Sequence, residues 1–154
     1  MKNIVIVGSG PVALTTALGF AKCGVKTTIL ESKPGLVKEG SRAIVVDKGS
    51  LLCYNEFGIA HEFVERGLTA LRRRTFFRGR ELYCNEFPAP DENGIPLFVN
   101  IPQTDTEDIL LCAAVDSGLI DFKWGHRVTG VTQDGDTVYV CLLYTSPSPR
   151  DLLG

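Results

Sequence analysis

Residues 7–13 read VGSGPVA and follow directly on the apolar run NIVIV. Two glycines separated by one residue, with a small residue three places further on, is the spacing of a loop that lays a pyrophosphate on a helix N-terminus. Gly8 permits the tight turn, and Ser9 and Gly10 bring the backbone close to a phosphate. The first-turn amides around Pro11, Val12 and Ala13 are those a helix leaves without internal partners. Ala13 stands where a third glycine is often drawn; helix and strand pack closely there, and one methyl group is tolerated. Glu31, at a distance of 21 residues from Gly10, stands where a carboxylate can accept hydrogen bonds from ribose hydroxyls. Its charge repels a 2′-phosphate, which disfavours NADP as the ligand of this loop. The loop by itself leaves FAD and NAD open.

These residues need a strand, a turn, a helix and a second strand to position them, and the sequence supplies all four. NIVIV is short, continuous and rich in β-branched residues, as a buried parallel strand is. Pro11 suits the first helical turn, Val12, Leu14, Ala17, Leu18 and Ala21 recur at helical spacing, and Gly24 supplies a stop. VKTTILE, residues 25–31, reads as the second strand, which completes a βαβ unit. Beyond it, a loop with Pro34, Gly35 and Gly40 enters a brief β-rich run. Residues 50–57 read as a helix with Ser50 as N-cap and Gly58 as stop, and AHEFVERG reads as further helical turns ended by Gly67. Residues 68–87 read as two extended segments around a turn at Arg78–Arg80, followed by the polar loop PAPDENGIP. Thr104 and Glu107 form a T-x-x-E capping box before a helix that stops at Gly118. LIDFKWG and HRVTGVTQDGDTVYV then read as strands, with a turn at Asp134–Gly135.

A chain of 154 residues, 44% hydrophobic and 22% charged, is that of one soluble globular domain with a real core. A formal net charge of −2 argues against nucleic-acid or membrane-surface binding driven by bulk charge. No apolar run is long enough to span a bilayer, and glycine and proline arrive too early for a signal peptide, so a cytoplasmic location is expected. Cys23, Cys53, Cys84, Cys112 and Cys141 form no C-x-x-C pair and read as reduced, buried small hydrophobes rather than zinc ligands or disulfides. His61 and His126 read as surface or structural residues. Arg72, Arg73, Arg74, Arg78 and Arg80 read as the solvated face of the two-stranded segment, balanced by Glu65, Glu81 and Glu86. Phe76, Phe77 and Tyr83 are expected to pack that segment onto the core.

After Glu31 the chain does not continue strand–helix–strand, as a simple nicotinamide dehydrogenase would. Three segments in order, NIVIVGSGPVALTTALGFAKCGVKTTILESKPG, SRAIVV and IPQTDTEDILL, resemble the N-terminal third of the FAD-dependent aromatic-ring hydroxylases. These are the single-component flavoprotein monooxygenases of para-hydroxybenzoate hydroxylase type. The resemblance covers most of residues 2–140 and is uninformative about the particular substrate. It implies an α/β fold: a Rossmann-like FAD-binding domain of the GR2 type over residues 1–140, with a small antiparallel β insertion around 68–100, truncated before the substrate domain is complete.

The resemblance also implies site roles. Gly8, Ser9, Gly10, Pro11, Val12 and Ala13 would hold the FAD pyrophosphate, Glu31 with Ser32 the adenosine ribose, and Val128 would pack near the adenine. Arg42 matches an arginine that lies against the cofactor, and Gln103 a glutamine on the flavin side. The implied chemistry is hydroxylation of a small aromatic substrate with NAD(P)H as transient reductant and O2. No residue reads as a nucleophile or acid–base pair, which fits an enzyme whose cofactor carries the chemistry. Substrate-pocket and catalytic residues would lie in later segments, and this stretch alone is expected neither to retain FAD tightly nor to turn over. Other FAD enzymes of the same fold (an epoxidase, halogenase or isoprenoid reductase) and a non-catalytic nucleotide-binding piece stand as alternatives; a halogenase W-x-W-x-I-P motif does not occur. The sequence gives no indication of oligomeric state. Finally, CLLYTSPSPRD resembles the in-frame translation of a sequencing-library adapter, so residues 141–154 read as a non-native tail.

Overall fold

The computed structural model describes residues 4–36 and 44–144. In chain order these form β1 (Ile4–Val7), α1 (Pro11–Lys22), β2 (Thr27–Leu30), β3 (Val45–Asp47), α2 (Lys48–Glu56), α3 (Ala60–Arg66) and β4 (Leu68–Thr69). Then follow β5 (Arg72–Phe77), β6 (Arg80–Glu86), β7 (Phe98–Asn100), α4 (Gln103–Asp116), β8 (Ile120–Lys123), β9 (His126–Asp134) and β10 (Thr137–Tyr144). They divide into two compact units, Met1–Lys38 with Leu111–Gly154, and Glu39–Leu110. The second unit is wider than the insertion read from the sequence, because β3 and β4 pair with β7 rather than with the parallel sheet.

The first unit is built on a parallel sheet of order β1–β2–β8. Ile4 pairs with Thr27, Ile6 with Ile29, and Ile29 with Phe122, so alternation puts these side chains on one face. α1 packs on the sheet and buries Leu14, Ala17 and Leu18, each leucine contributing about 1.5–3 kcal/mol. The helix stops where expected: Gly24, at φ +72°, donates its amide to Ala21 O at 2.9 Å, as a left-handed C-terminal residue does. β2 starts at Thr27 rather than Val25 because the Val25 amide still bonds back to Phe20 O at 2.9 Å. Among the described residues, β1 is the edge strand of this sheet, and Val5 and Val7 are 42% and 57% exposed.

β9 and β10 form an antiparallel pair. Asp134 faces Thr137, so the connecting residues are Gly135 and Asp136, one place later than the sequence suggests. The pairing continues through Tyr144, into the segment set apart as a tail. It shifts register between Cys141 and Leu142, at the start of that segment.

In the second unit, β7 lies between β3 and β4 and buries Val99 against a core that includes Leu51, Phe63 and Ile101. Tyr54 of α2 stacks on Phe63 of α3, with ring centroids 4.5 Å apart. Gly67 is required by close approach rather than by its φ: a Cβ there would meet Val99 Cγ1 at 2.1 Å and Phe63 O at 2.7 Å. Two helix starts differ from expectation. Asp47, not Ser50, caps α2, its carboxylate accepting the Ser50 amide at 2.8 Å; the helix therefore begins at Lys48. The T-x-x-E box does not form. Pro102 stands just outside α4 and its carbonyl takes the amides of Asp105 and Thr106, so Thr104 falls inside the first turn.

The β5–β6 hairpin is the two-stranded insertion the sequence announces. Phe77 faces Arg80 across Arg78 and Gly79, both at positive φ, as a type I′ turn requires. The expectation that its aromatics pack onto the core fails. Phe76, Phe77 and Tyr83 are 57%, 58% and 46% exposed, because the hairpin pairs only with itself among the described residues. The arginines are solvated as expected, with Arg74 reaching Glu81 at 3.7 Å. The cysteines are free, but all five are exposed rather than buried. Cys23 lies just past the end of α1, and Cys84 lies on β6, where every residue is exposed. His61 is exposed, and His126 Nδ1 lies 2.8 Å from Trp124 O.

Candidate functional site

The loop between β1 and α1 is shaped by two glycines that do different things. Gly8 sits at φ +92°, a backbone state that favours glycine, and its amide bonds Leu30 O at 2.8 Å. Gly10 is the N-cap of α1 at φ −73°, ψ 176°, a conformation any residue adopts. A Cβ on Gly10 would meet nothing within 4 Å. The chain's own packing therefore does not explain a glycine there, and the space beside it is open.

Behind Gly10, α1 opens with Pro11, no capping side chain and no acidic residue in its first turn. An uncapped helix start with unneutralised amides attracts an anion through hydrogen bonds and the helix dipole together. Gly8, Gly10, Pro11, Val12, Ala13 and Thr16 line a cavity of about 380 Å³. Val12 is the most exposed of the large apolar residues among those described, at 82%, which again leaves the helix start open.

Glu31 closes this loop from the end of β2. One carboxylate oxygen, Oε2, accepts the Ser9 amide at 2.9 Å and the Ser9 hydroxyl at 3.0 Å. The other, Oε1, accepts the Ser32 hydroxyl at 3.1 Å and the Lys33 amide at 2.9 Å. Burial pushes the Glu31 carboxyl up, but the Lys33 amide, the Ser9 hydroxyl and amide, and the Ser32 hydroxyl outweigh it and hold it below its ordinary value. The sequence marks Ser9 and Glu31 as separate contacts to a ligand. That they also bond each other across the loop has no signature in spacing.

Of the residues singled out in the sequence, Gly8, Ser9, Gly10, Pro11, Val12, Ala13, Glu31 and Ser32 come together here. Val128 lies in the same unit on β9, two residues past His126, whose amide bonds Glu31 O at 2.8 Å. Gln103 belongs to the second unit, at the first turn of α4, where its Nε2 donates to Glu107 Oε1 at 2.7 Å. Arg42 lies outside the described residues.

Residues 1–151 match the family described as FAD binding domain. The chain belongs to that family. It is 25% identical over 163 residues to para-nitrophenol 4-monooxygenase of Pseudomonas sp. strain WBC-3, covering 96% of this chain and 36% of the relative. It is 28% identical over 139 residues to 6-methylpretetramide 4-monooxygenase of Streptomyces rimosus, covering 88% of this chain and 24% of the relative. The crystal structure of p-nitrophenol 4-monooxygenase from Pseudomonas putida DLL-E4 superposes with a TM-score of 0.80 at 23% identity, covering 91% of this chain and 36% of that one. A flavin-dependent monooxygenase solved with FAD and substrate gives a TM-score of 0.74 at 21% identity, covering 92% and 27%.

The FAD-binding domain thus spans about a third or less of the length of these relatives. The fit of the loop to the cofactor rests on this chain's own geometry: an open, uncapped helix start and a glycine whose missing side chain no internal contact requires. No helix among the described residues is long and apolar enough to cross a membrane.

Proposed function

We propose that this FAD-binding domain serves a monooxygenase that hydroxylates a small aromatic substrate, with NAD(P)H as transient reductant and O2 as co-substrate. Bound FAD would supply the redox chemistry. The chain's residues bind and orient it. The first-turn amides of α1 and the backbone at Gly10 would take the pyrophosphate. Glu31 with Ser32 would take the adenosine ribose, the sugar hydroxyls exchanging with those of Ser9 and Ser32 while the amides of Ser9 and Lys33 keep the carboxylate in place. Val128, Gln103 and Arg42 are assigned to the adenine side, the flavin side and the cofactor face by resemblance. A cytoplasmic setting belongs to this reading and agrees with free thiols and a supply of NAD(P)H.

The observation that carries the reading is Gly10. Alanine there should leave unfolding stability within about 0.5 kcal/mol, yet weaken FAD binding at least tenfold in an equilibrium titration. Gly8→Ala should instead cost about 1–3 kcal/mol through its positive φ. Unchanged FAD affinity in Gly10→Ala would sink the assignment of this loop. Hydroxylation is tested separately, in a protein of the relatives' full length that carries this segment. NAD(P)H-dependent oxygen uptake stimulated by a phenol is expected there, and its absence overturns the monooxygenase reading.

A further inference from the structure

Four hydrogen bonds converge on the Glu31 carboxylate, about as many as its two oxygens accept. Oε2 takes the Ser9 amide at 2.9 Å and the Ser9 hydroxyl at 3.0 Å. Oε1 takes the Lys33 amide at 2.9 Å and the Ser32 hydroxyl at 3.1 Å. Each oxygen thus holds one backbone amide and one side-chain hydroxyl.

The two kinds of donor are not equally free to leave. The amides belong to backbone that other bonds fix nearby. Gly8 N donates to Leu30 O at 2.8 Å, Glu31 N to Lys123 O at 3.0 Å, and Gly125 N to Lys33 O at 2.9 Å. A serine hydroxyl, by contrast, leaves through one rotation about χ1. That step is cheap at Ser32, which is exposed, and costlier at Ser9, which is only 6% exposed, because a buried hydroxyl that loses its partner carries its desolvation cost. The glycine spacing sets no requirement on the residue between Gly8 and Gly10. The hydroxyl at position 9 is therefore a feature of this chain and not of the turn.

We propose that the Ser9 and Ser32 hydroxyls are internal stand-ins for the two hydroxyls of a ligand's vicinal diol. They fill the Glu31 acceptors when no diol is bound and must be displaced before one binds. Ser9 accordingly limits affinity for the diol instead of adding to it. This rests on the FAD-binding reading given above, with the adenosine ribose at Glu31.

The test compares two probes by calorimetry. ADP carries a ribose with both hydroxyls; 2′,3′-dideoxy-ADP keeps the base and pyrophosphate but lacks them. Ser9→Ala should tighten ADP about three- to tenfold, the scale of one net hydrogen bond, and leave dideoxy-ADP within about twofold of wild type. Ser32→Ala should act in the same direction and more weakly, since an exposed hydroxyl competes less. It also carries the test should Ser9→Ala not fold. A serine that merely braced the loop would give the opposite sign. Weaker or unchanged ADP binding in Ser9→Ala, or in Ser32→Ala where only that variant folds, overturns the stand-in role and leaves nucleotide binding standing. An equal gain for dideoxy-ADP overturns it as well, because the freed acceptors would then not be what the ligand uses. No binding of either probe to the wild-type chain overturns both readings.

Discussion

The loop from Val7 to Ala13 and the hairpin from Arg72 to Glu86 are both regular, and both follow local rules of turn chemistry. Gly8 takes the positive φ its turn needs, as Arg78 and Gly79 do in theirs. What differs is who holds them. The loop is gripped from elsewhere in the chain: Leu30 O takes the Gly8 amide, Glu31 takes Ser9 twice, and Ser9 is buried at 6% exposure. The hairpin is held by its own ladder, and not one of its residues is buried. A lone two-stranded hairpin is marginal in water. Local rules therefore set the path of the backbone in both places, while only tertiary bonds make one of them a site.

The contrast can be broken at three points. Within the unit that carries the hairpin, Phe63→Ala removes a fully buried ring stacked on Tyr54. It should cost about 3–5 kcal/mol in denaturant unfolding; a cost below about 1 kcal/mol would mean that this unit has no firmer core than its hairpin.

Next in size is Glu31→Gln, which replaces the carboxylate that grips the loop. It should lose about 1–2 kcal/mol at pH 7. The folded Glu31 titrates below its ordinary value of 4.5, so its contribution is fully present above that value. The contribution is lost as pH falls through the lower folded value. The gap between wild type and variant in denaturant midpoints should accordingly be flat from neutral pH to about 5 and close in acid. A gap independent of pH would show that charge is not what holds the loop.

The smallest effect belongs to the hairpin: Phe77→Ser should change stability by less than about 0.5 kcal/mol. A loss above that in thermal unfolding would mean that this exposed aromatic face is covered in solution.

Much of the site was legible because its signals are short-range. NIVIV, the glycine spacing, Pro11 and Gly24 each act within one turn of the residue they affect, and together they mark β1, α1 and the loop between them. The hairpin was legible for the same reason, through the Arg78–Gly79 turn. What the sequence concealed depends on partners far along the chain. The bonds from Ser9 to Glu31 and the fit of Gly67 against Val99 have no local pattern. Caps depart from the sequence pattern where two candidates compete: Asp47 over Ser50, because a carboxylate is available one residue before the helix, and Pro102 over Thr104, because the helix starts directly after the proline. Side-chain burial was the least legible, since Phe76, Phe77, Tyr83 and the cysteines are apolar by type but exposed.

The open side of β1 bears on how this chain behaves in a test tube. Among the described residues, β1 has a strand partner on one side only, and such an edge recruits a strand that reaches it. Self-association of the isolated chain should therefore rise with concentration. A strand-breaking Val5→Pro substitution should lower that self-association on a sizing column.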